Sequence, residues 1–487
     1  MSDHVDVLIV GAGLSGIGAA YRLQTMCKGK TYTILESRHT SGGTWDLFRY
    51  PGIRSDSDMY TLSYPFKPWT HGNAIADGED IRRYIHETAH ENGIDQHIRY
   101  GHRVTRASWS SDDAQWTIEA NSDDGPVVLT SSFLYLCSGY YNYDAGYTPD
   151  FPGIENFQGE VVHPQFWTDD VDYDGKEVVV IGSGATAITL IPSMAGGTKH
   201  VTMLQRSPSY ITSLPQGDPI AAFFRKILPL GLAHRLTRRK NAAIAIGFYV
   251  FCQRFPKAAS RFLTWRAQKS LPAGFDEKHL TPPYNPWDQR LCIVPNGDLF
   301  RTIKSGKASI VTDRIARFDE TGIQLESGDR LDADLVITAT GLQVVAFGQI
   351  ELEVDGEKVN SHETYVYKGM MFSGIPNFAW CVGYTNASWT LRADLTSKYV
   401  CRLINHMDEN GYAFGMPDPA GAEGDSAPLL NLTSGYVQRV AGLLPQQGTS
   451  SPWTIRQNWF LDSWDSRRSD LDEAMVWTAR ERVAAAS

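Results

Sequence analysis

The chain has 487 residues, too many for one hydrophobic core, so two or three domains are expected. With 42% hydrophobic and 11% aromatic residues it reads as folded, and a formal charge of −10 argues against a nucleic-acid partner, whose backbone asks for clustered Lys and Arg. No secretory-type leader precedes the first strand-like run, the longest apolar run (242–252) is far short of the ~20 residues that span a bilayer, and six cysteines without a C-x-x-C pair fit reduced cytoplasmic thiols.

In chain order, VDVLIV (5–10) is a buried-strand run leading into GAGLSG (11–16) and then a helical pattern. Strand, glycine turn and helix start together make a dinucleotide fingerprint. Gly11 permits the tight turn, Gly13 lets a pyrophosphate approach the backbone, and Gly16 allows close helix–strand packing. The second strand, TYTILE (31–36), ends on Glu36, a carboxylate placed to accept from ribose hydroxyls, so this loop reads as an FAD site. SGGTWDLFRYPGIRSDSD (41–58) follows, where disulfide reductases of two-dinucleotide architecture carry a cysteine pair. Trp45 and no cysteine stand here, which removes thiol chemistry. HETAH (86–90) matches the H-E-x-x-H zinc pattern, but no third ligand is evident; it reads as part of a polar helix, and no metal is expected. FLYLCSG (133–139) is the next buried strand.

EVVVIG (177–182) and GSGATA (182–187) repeat the first unit, with Ala187 replacing the third glycine. The strand HVTMLQR (200–206) ends on Arg206 rather than a carboxylate. A guanidinium pairs a 2′-phosphate through charge-assisted hydrogen bonds, so the second loop reads as an NADPH site. Residues 219–275 are helical in pattern, with eleven Lys and Arg and no Asp or Glu. Two readings stand: a basic face attracting an anionic cofactor by its field, or a peripheral surface for anionic lipid or a partner, with Phe248, Tyr249, Val250 and Phe251 on an apolar side. DLVITATG (334–341) is the last clear buried strand, and the C-terminal ~90 residues carry no motif. The order predicts an α/β fold with two Rossmann-like dinucleotide-binding domains, for FAD and NADPH, and a helical excursion in the second. The expected boundaries are 1–145 (first part of the FAD domain), 146–176 (linker), 177–335 (NADPH domain, excursion about 215–285) and 336–487 (second part of the FAD domain and C-terminal region).

The linker holds FQGEVVHPQFWTDD (157–170), whose lone His163 raises the question of a catalytic base. It fits F-x-G-x-x-x-H-x-x-x-W at Phe157, Gly159, His163 and Trp167, with Thr168 where Pro or Asp is usual. Together with GGTWDLFRYPGIRSD (Gly43, Trp45, Tyr50, Pro51, Gly52, Asp56 in register), this resembles the type I Baeyer–Villiger monooxygenases. CSGYYNYD, YNPWDQRLC and GYTNASWTL bring it nearest to the ethionamide-activating branch.

The resemblance implies that NADPH reduces FAD, O₂ adds to the flavin, and the peroxyflavin inserts one oxygen beside a ketone carbonyl, giving an ester or lactone. A small hydrophobic ketone or a sulfur-containing substrate is implied, sulfides and thioamides included. It makes Arg290 and its partner Asp56 the catalytic pair. FAD contacts carry over to Ser15, Thr44, Trp45, Asp46, Leu47, Asp56 and Val104; NADP contacts to Arg54, Ser55, Asp56, Gly182, Ser183, Gly184, Ala185, Thr186, Ala187, Ile188, Arg206 and Ser207. His163 then reads as a hinge residue with its ring bonded to backbone. Two rivals are a flavin N- or S-oxygenase working through an electrophilic hydroperoxyflavin, and a peripheral membrane or partner-binding protein with vestigial flavin loops. The sequence does not give the substrate pocket's lining; Trp389 or Tyr384 is a guess at it.

Overall fold

Two apolar runs seed two separate sheets. In the computed structural model, which describes residues 3–422, 426–430, 432–481 and 483, Asp3–Val10 lies between the parallel strands Tyr32–Leu35 and Gly125–Leu136. Glu177–Ile181 lies likewise between His200–Gln205 and Leu335–Thr338. The last four residues of both runs are buried, which is why neither alternates with polar side chains.

The first sheet has nine strands; beside its parallel set runs an antiparallel meander of Arg103–Ser110, Gln115–Ser122 and Gly125–Leu136. Phe378–Trp380, far along the chain, pairs with the end of Gly125–Leu136. The second sheet is parallel throughout, in the order Ala308–Thr312, His200–Gln205, Glu177–Ile181, Leu335–Thr338, Glu160–Val162. The fold is therefore α/β with two Rossmann-like units. Two expected boundaries shift. Glu160–Val162, expected in the linker, is the edge strand of the second sheet. Leu335–Thr338 sits inside that sheet, so a boundary at 336 would cut a strand. The chain crosses between units instead through Tyr141–Gly146, paired antiparallel with Leu342–Val344.

The helical excursion comprises Pro219–Ile227, Leu230–Arg254 and Pro256–Lys269. Although it departs from the second unit, it docks on the first. Arg238 is buried and donates to the carbonyls of Tyr60, Thr61 and Ser63 at 3.1, 2.8 and 2.7 Å. These carbonyls close the short helix Met59–Leu62, where a cation is favoured by the free carbonyl ends. Asn241, also on the excursion, donates to Asp58 at 2.8 Å. Among the described residues no helix is long and apolar enough to cross a membrane.

One turn before Arg238, His234 is buried with neither ring nitrogen in hydrogen-bond geometry. Burial first, and the Arg238 charge second, lower its pKa from 6.5 to about 4. The unfolded chain then takes up a proton below pH 6.5 that the folded chain refuses until about pH 4, so stability falls as the solution is acidified through that window. Replacing His234 by Leu is expected to remove ~2 kcal/mol of the stability lost between pH 7.5 and 5, read as a smaller shift in urea midpoint.

Candidate active site

Each unit presents an open helix N-terminus at the end of its central strand. Gly11 has φ +101°, and a Cβ there would lie 2.7 Å from the Cys137 carbonyl oxygen, so no larger residue makes this turn. A Cβ on Gly16 would fall 1.9 Å from the Gly11 oxygen, which is the close helix–strand packing expected. Helix Leu14–Met26 begins after Gly13 without a side-chain cap, leaving its first N–H groups to an anion. The second unit repeats this at Gly182 (φ +133°, Cβ 2.3 Å from the Ala339 oxygen) and at helix Ala185–Met194, also uncapped. Gly184 and Ala185 are exposed, and a Cβ on Gly184 would meet nothing within 4 Å. Both cradles fit a dinucleotide.

The strand ends differ as the sequence suggests. Glu36 is buried beside its loop, one carboxylate oxygen accepting from the Ala12 N–H at 2.7 Å and the other from the Arg38 N–H at 2.9 Å. Burial raises its pKa, against the pull of those bonds. Arg206 is exposed just beyond Gln205 and has no ion pair among the described residues. Beside it, the Ser183 hydroxyl donates to the Ser207 carbonyl at 3.2 Å and meets the Ser209 hydroxyl at 2.8 Å, which ties the second loop to the strand end.

Residues 43–56 bridge the units. Gly43 faces Gly13, whose Cβ would lie 3.5 Å from the Gly43 Cα, and the short helix Thr44–Leu47 brings the Thr44 hydroxyl to the Tyr143 phenol. Trp45 packs on the first unit's core. The chain then enters the second unit: Phe48 and Tyr50 are buried in its core, with Leu47 and Ile53 against it. Gly52, at φ +77°, backs onto helix Ala185–Met194 so closely that a Cβ would sit 1.9 Å from the Ser193 hydroxyl oxygen. Arg54 donates to Asp298 at 2.5 Å, while its Nη2 is buried without a partner. Asp56 ends the segment in an ion pair with Arg290, 2.9 Å apart.

Several expected contact residues turn their side chains to the fold instead. The Asp46 carboxylate is held by Arg38 and Arg49, each at 2.6 Å. The Ser55 hydroxyl accepts from the Ala76 N–H at 3.1 Å. Ala187 and Ile188 lie in the second unit's core, and Val104 is buried in the same cluster as Val10 and Leu35. These positions offer only backbone to a ligand, because an amphipathic helix start or a buried strand places alternate side chains inward. Ser15 is buried, and its hydroxyl accepts from the Trp389 indole N–H at 2.7 Å.

Arg290 lies in the loop between the excursion and strand Cys292–Pro295. Its guanidinium is held above its ordinary pKa chiefly by the Asp56 charge, which outweighs burial; the phenols of Tyr140, Tyr141 and Tyr436 also lie close enough to act on it. The loop is fixed on two sides. Trp287 meets Tyr249 of the excursion edge-on at 5.6 Å, and the Asp288 carbonyl accepts from the N–H and hydroxyl of Thr433 at 2.7 and 3.0 Å. Trp389 stacks on Tyr140 at 5.3 Å. The Tyr384 phenol donates to buried Asp462 at 2.6 Å, a partner supplied by the C-terminal region. The sequence reading missed Tyr140, Tyr141 and Tyr436. The aromatic pair directly after a strand end in CSGYYNYD was the available signal for the first two.

The flavin-binding monooxygenase-like family profile matches residues 6–405. The chain belongs to this family. It is 53% identical over 486 residues to the FAD-containing monooxygenase EthA of Mycolicibacterium smegmatis, covering 99% of each chain. Its fold matches an oxidised steroid monooxygenase bound to NADP (TM-score 0.75, 23% identity, 98% of this chain and 100% of that one). It likewise matches cyclohexanone monooxygenase from Rhodococcus sp. Phi1 bound to NADP⁺ (TM-score 0.74, 19% identity, the same coverage).

In this flavin-binding monooxygenase-like chain, the His163 ring is engaged by backbone on both nitrogens. Its Nδ1 accepts from the Gln165 N–H at 3.2 Å, so Nε2 carries the proton and donates to the Gly341 carbonyl at 3.2 Å. Burial lowers its pKa, favouring the neutral ring these two bonds need. A Cβ on Gly146 would strike the ring at 2.1 Å, so His163 touches the end of one crossing strand and, at Gly341, the residue just before the other. Phe157 packs with Phe318, Trp167 lies in the second unit's core, and a Cβ on Gly159 would lie 2.6 Å from the Asp334 oxygen. In HETAH, His86 bonds the Ser41 carbonyl at 2.8 Å and His90 pairs with Asp95 at 2.9 Å.

Gly52→Ala is expected to destabilise the protein by ~2–3 kcal/mol, since it combines a strained φ with a clash in a packed interface. The check is the urea midpoint, with Gly72→Ala as control at a position where a Cβ would meet nothing within 4 Å.

Proposed function

We propose that the chain is an NADPH- and O₂-dependent FAD monooxygenase that converts a small hydrophobic ketone to an ester or lactone, and that oxidises sulfides or thioamides at the same site. The stoichiometry is ketone, O₂, NADPH and H⁺ to ester, NADP⁺ and water. The observation that carries this reading is the Arg290–Asp56 pair, which joins the end of the segment bridging the two units to the loop before Cys292–Pro295, with tyrosines close by.

FAD would be held by Gly11, Gly13, Gly16, Ser15, Glu36 and the 44–47 helix; NADP by Gly182 to Ala185, Arg54 and Arg206, whose free donors suit phosphate. When bound, the flavin supplies O₂ activation with electrons taken from NADPH. The protein's own part is electrostatic. Arg290 donates hydrogen bonds to negative charge as it develops on oxygen, and one preorganised donor of this kind contributes ~3–4 kcal/mol. Because a guanidinium keeps its protons, it stabilises that charge without quenching it. Asp56 orients Arg290, and the phenols of Tyr140, Tyr141 and Tyr436 lie near its guanidinium. No step asks for a base at His163; with Phe157, Gly159 and Trp167 it serves as a joint between the units, coupling their movement to closure of the site.

Arg290→Ala is expected to retain flavin, by its visible absorbance, yet to lose at least ~100-fold in ester formation; ester yield within a few-fold of the parent overturns the assignment. Arg206→Gln is expected to raise the KM for NADPH ~10–100-fold with little change for NADH, the loss of a charge-assisted phosphate contact. Equal effects on both coenzymes count against Arg206 as the 2′-phosphate ligand.

A further inference from the structure

The three helices of the excursion carry their hydrophobic side chains on the wrong side for a helix that only packs on its own protein. Eleven of the twenty-one exposed large hydrophobic residues among the described residues lie between Pro219 and Lys269. In Pro219–Ile227, Ile220, Phe223 and Ile227 recur at helical spacing and are 49, 57 and 56% exposed, whereas the buried residue is the small Ala221. The apolar stripe of this helix therefore faces solvent, the reverse of the usual arrangement. Phe262 and Trp265 repeat the pattern on the third helix, with Arg266 and Lys269 lying against their rings.

The charges on the same helices are just as one-sided. Of the eleven Lys and Arg, eight are exposed, and none of these eight has an ion pair among the described residues. The other three are engaged in holding the excursion: Arg238 on three carbonyls, Lys240 on Asp218, and Arg225 on the carbonyls of Thr70 and His71. With no Asp or Glu from 219 to 275 in a chain of net charge −10, the rest of the molecule is strongly acidic.

We propose that these helices dock the enzyme on an anionic lipid bilayer, with the apolar side chains at the boundary of headgroups and acyl chains and the free cations among lipid phosphates. A bilayer satisfies both halves of the surface at once. A second copy offering the same face would set unpaired cations against unpaired cations, and a soluble polyanion would leave the aromatic and aliphatic side chains in water. The acidic remainder of the chain is repelled from the same lipid, which fixes the orientation with the excursion down. The docked helices lie in the interface rather than through it. Lipid binding is read without turnover, so it stands or falls independently of the catalytic reading.

The test is co-sedimentation of the full-length holoenzyme with phosphatidylcholine vesicles, with and without phosphatidylglycerol. Binding at least ~10-fold stronger to the anionic vesicles, and weakened by salt, is expected. Phe223→Ser/Ile227→Ser and Arg235→Glu/Arg239→Glu should each lower it ~10-fold or more, while flavin content and turnover of a water-soluble ketone stay at the parental level. No binding, or equal binding to neutral vesicles, overturns the proposal. So does a parent that self-associates by light scattering without lipid and becomes monomeric on Phe223→Ser/Ile227→Ser, since the face would then join copies of the chain.

Discussion

Burial of the Tyr50–Gly52 turn against helix Ala185–Met194 sets the distance between the two dinucleotide cradles. The residues just before the turn belong to the first cleft, through Gly43 and Trp45, and those just after it end in Asp56. A carboxylate that belongs by sequence to the first unit is thus delivered to an arginine that belongs to the second. Had a Cβ been present at position 52 the helix would be displaced, and the ion pair, whose strength falls with distance, would loosen with it. Preorganisation at Arg290 is therefore a property of a backbone contact a few residues away.

Two further attachments frame this contact. The neutral ring of His163 bonds Gly341, just before one crossing strand, and abuts Gly146, at the end of the other. Arg238 fastens the excursion to the closing carbonyls of a first-unit helix. The second unit is consequently held to the first by a turn, a joint and a clamp made of different chemistry. The loop bearing Arg290 is braced in turn by Trp287 on Tyr249 and by Thr433 on Asp288.

The parts legible in the sequence were those fixed by local backbone demands. Gly11, Gly16 and Gly182 stand where no side chain fits, and continuous apolar runs gave the central strands of both sheets. Glu36 and Arg206 were legible because a strand end places one residue beside the loop. Side-chain direction was less so. Asp46 and Ser55 sit in the motif, yet their polar groups close hydrogen bonds within the protein, and nothing local distinguishes a carboxylate facing a ligand from one facing Arg38. Tyr436 reaches Arg290 from about 150 residues downstream, a tertiary meeting with no short-range pattern. The partner of Tyr384, Asp462, lies in the region without motifs, so that contact too had no local signal. The strand Glu160–Val162 was hidden because three residues are too few to show a period.

All six cysteines are buried. Cys292, two residues from Arg290, has its thiol pushed up to about 12 by burial, and burial likewise lifts Cys252 to about 11 and Cys137 well above its ordinary value. Oxidation of a cysteine begins from the thiolate and needs access. Cys27 and Cys381 go the other way, lowered first by their hydrogen bonds with Cys401 and Cys137, so they rely on burial alone, whereas Cys292, Cys252 and Cys137 are also held protonated. The packing that fixes the strand beside Arg290 thus withholds the Cys292 thiol from oxidation.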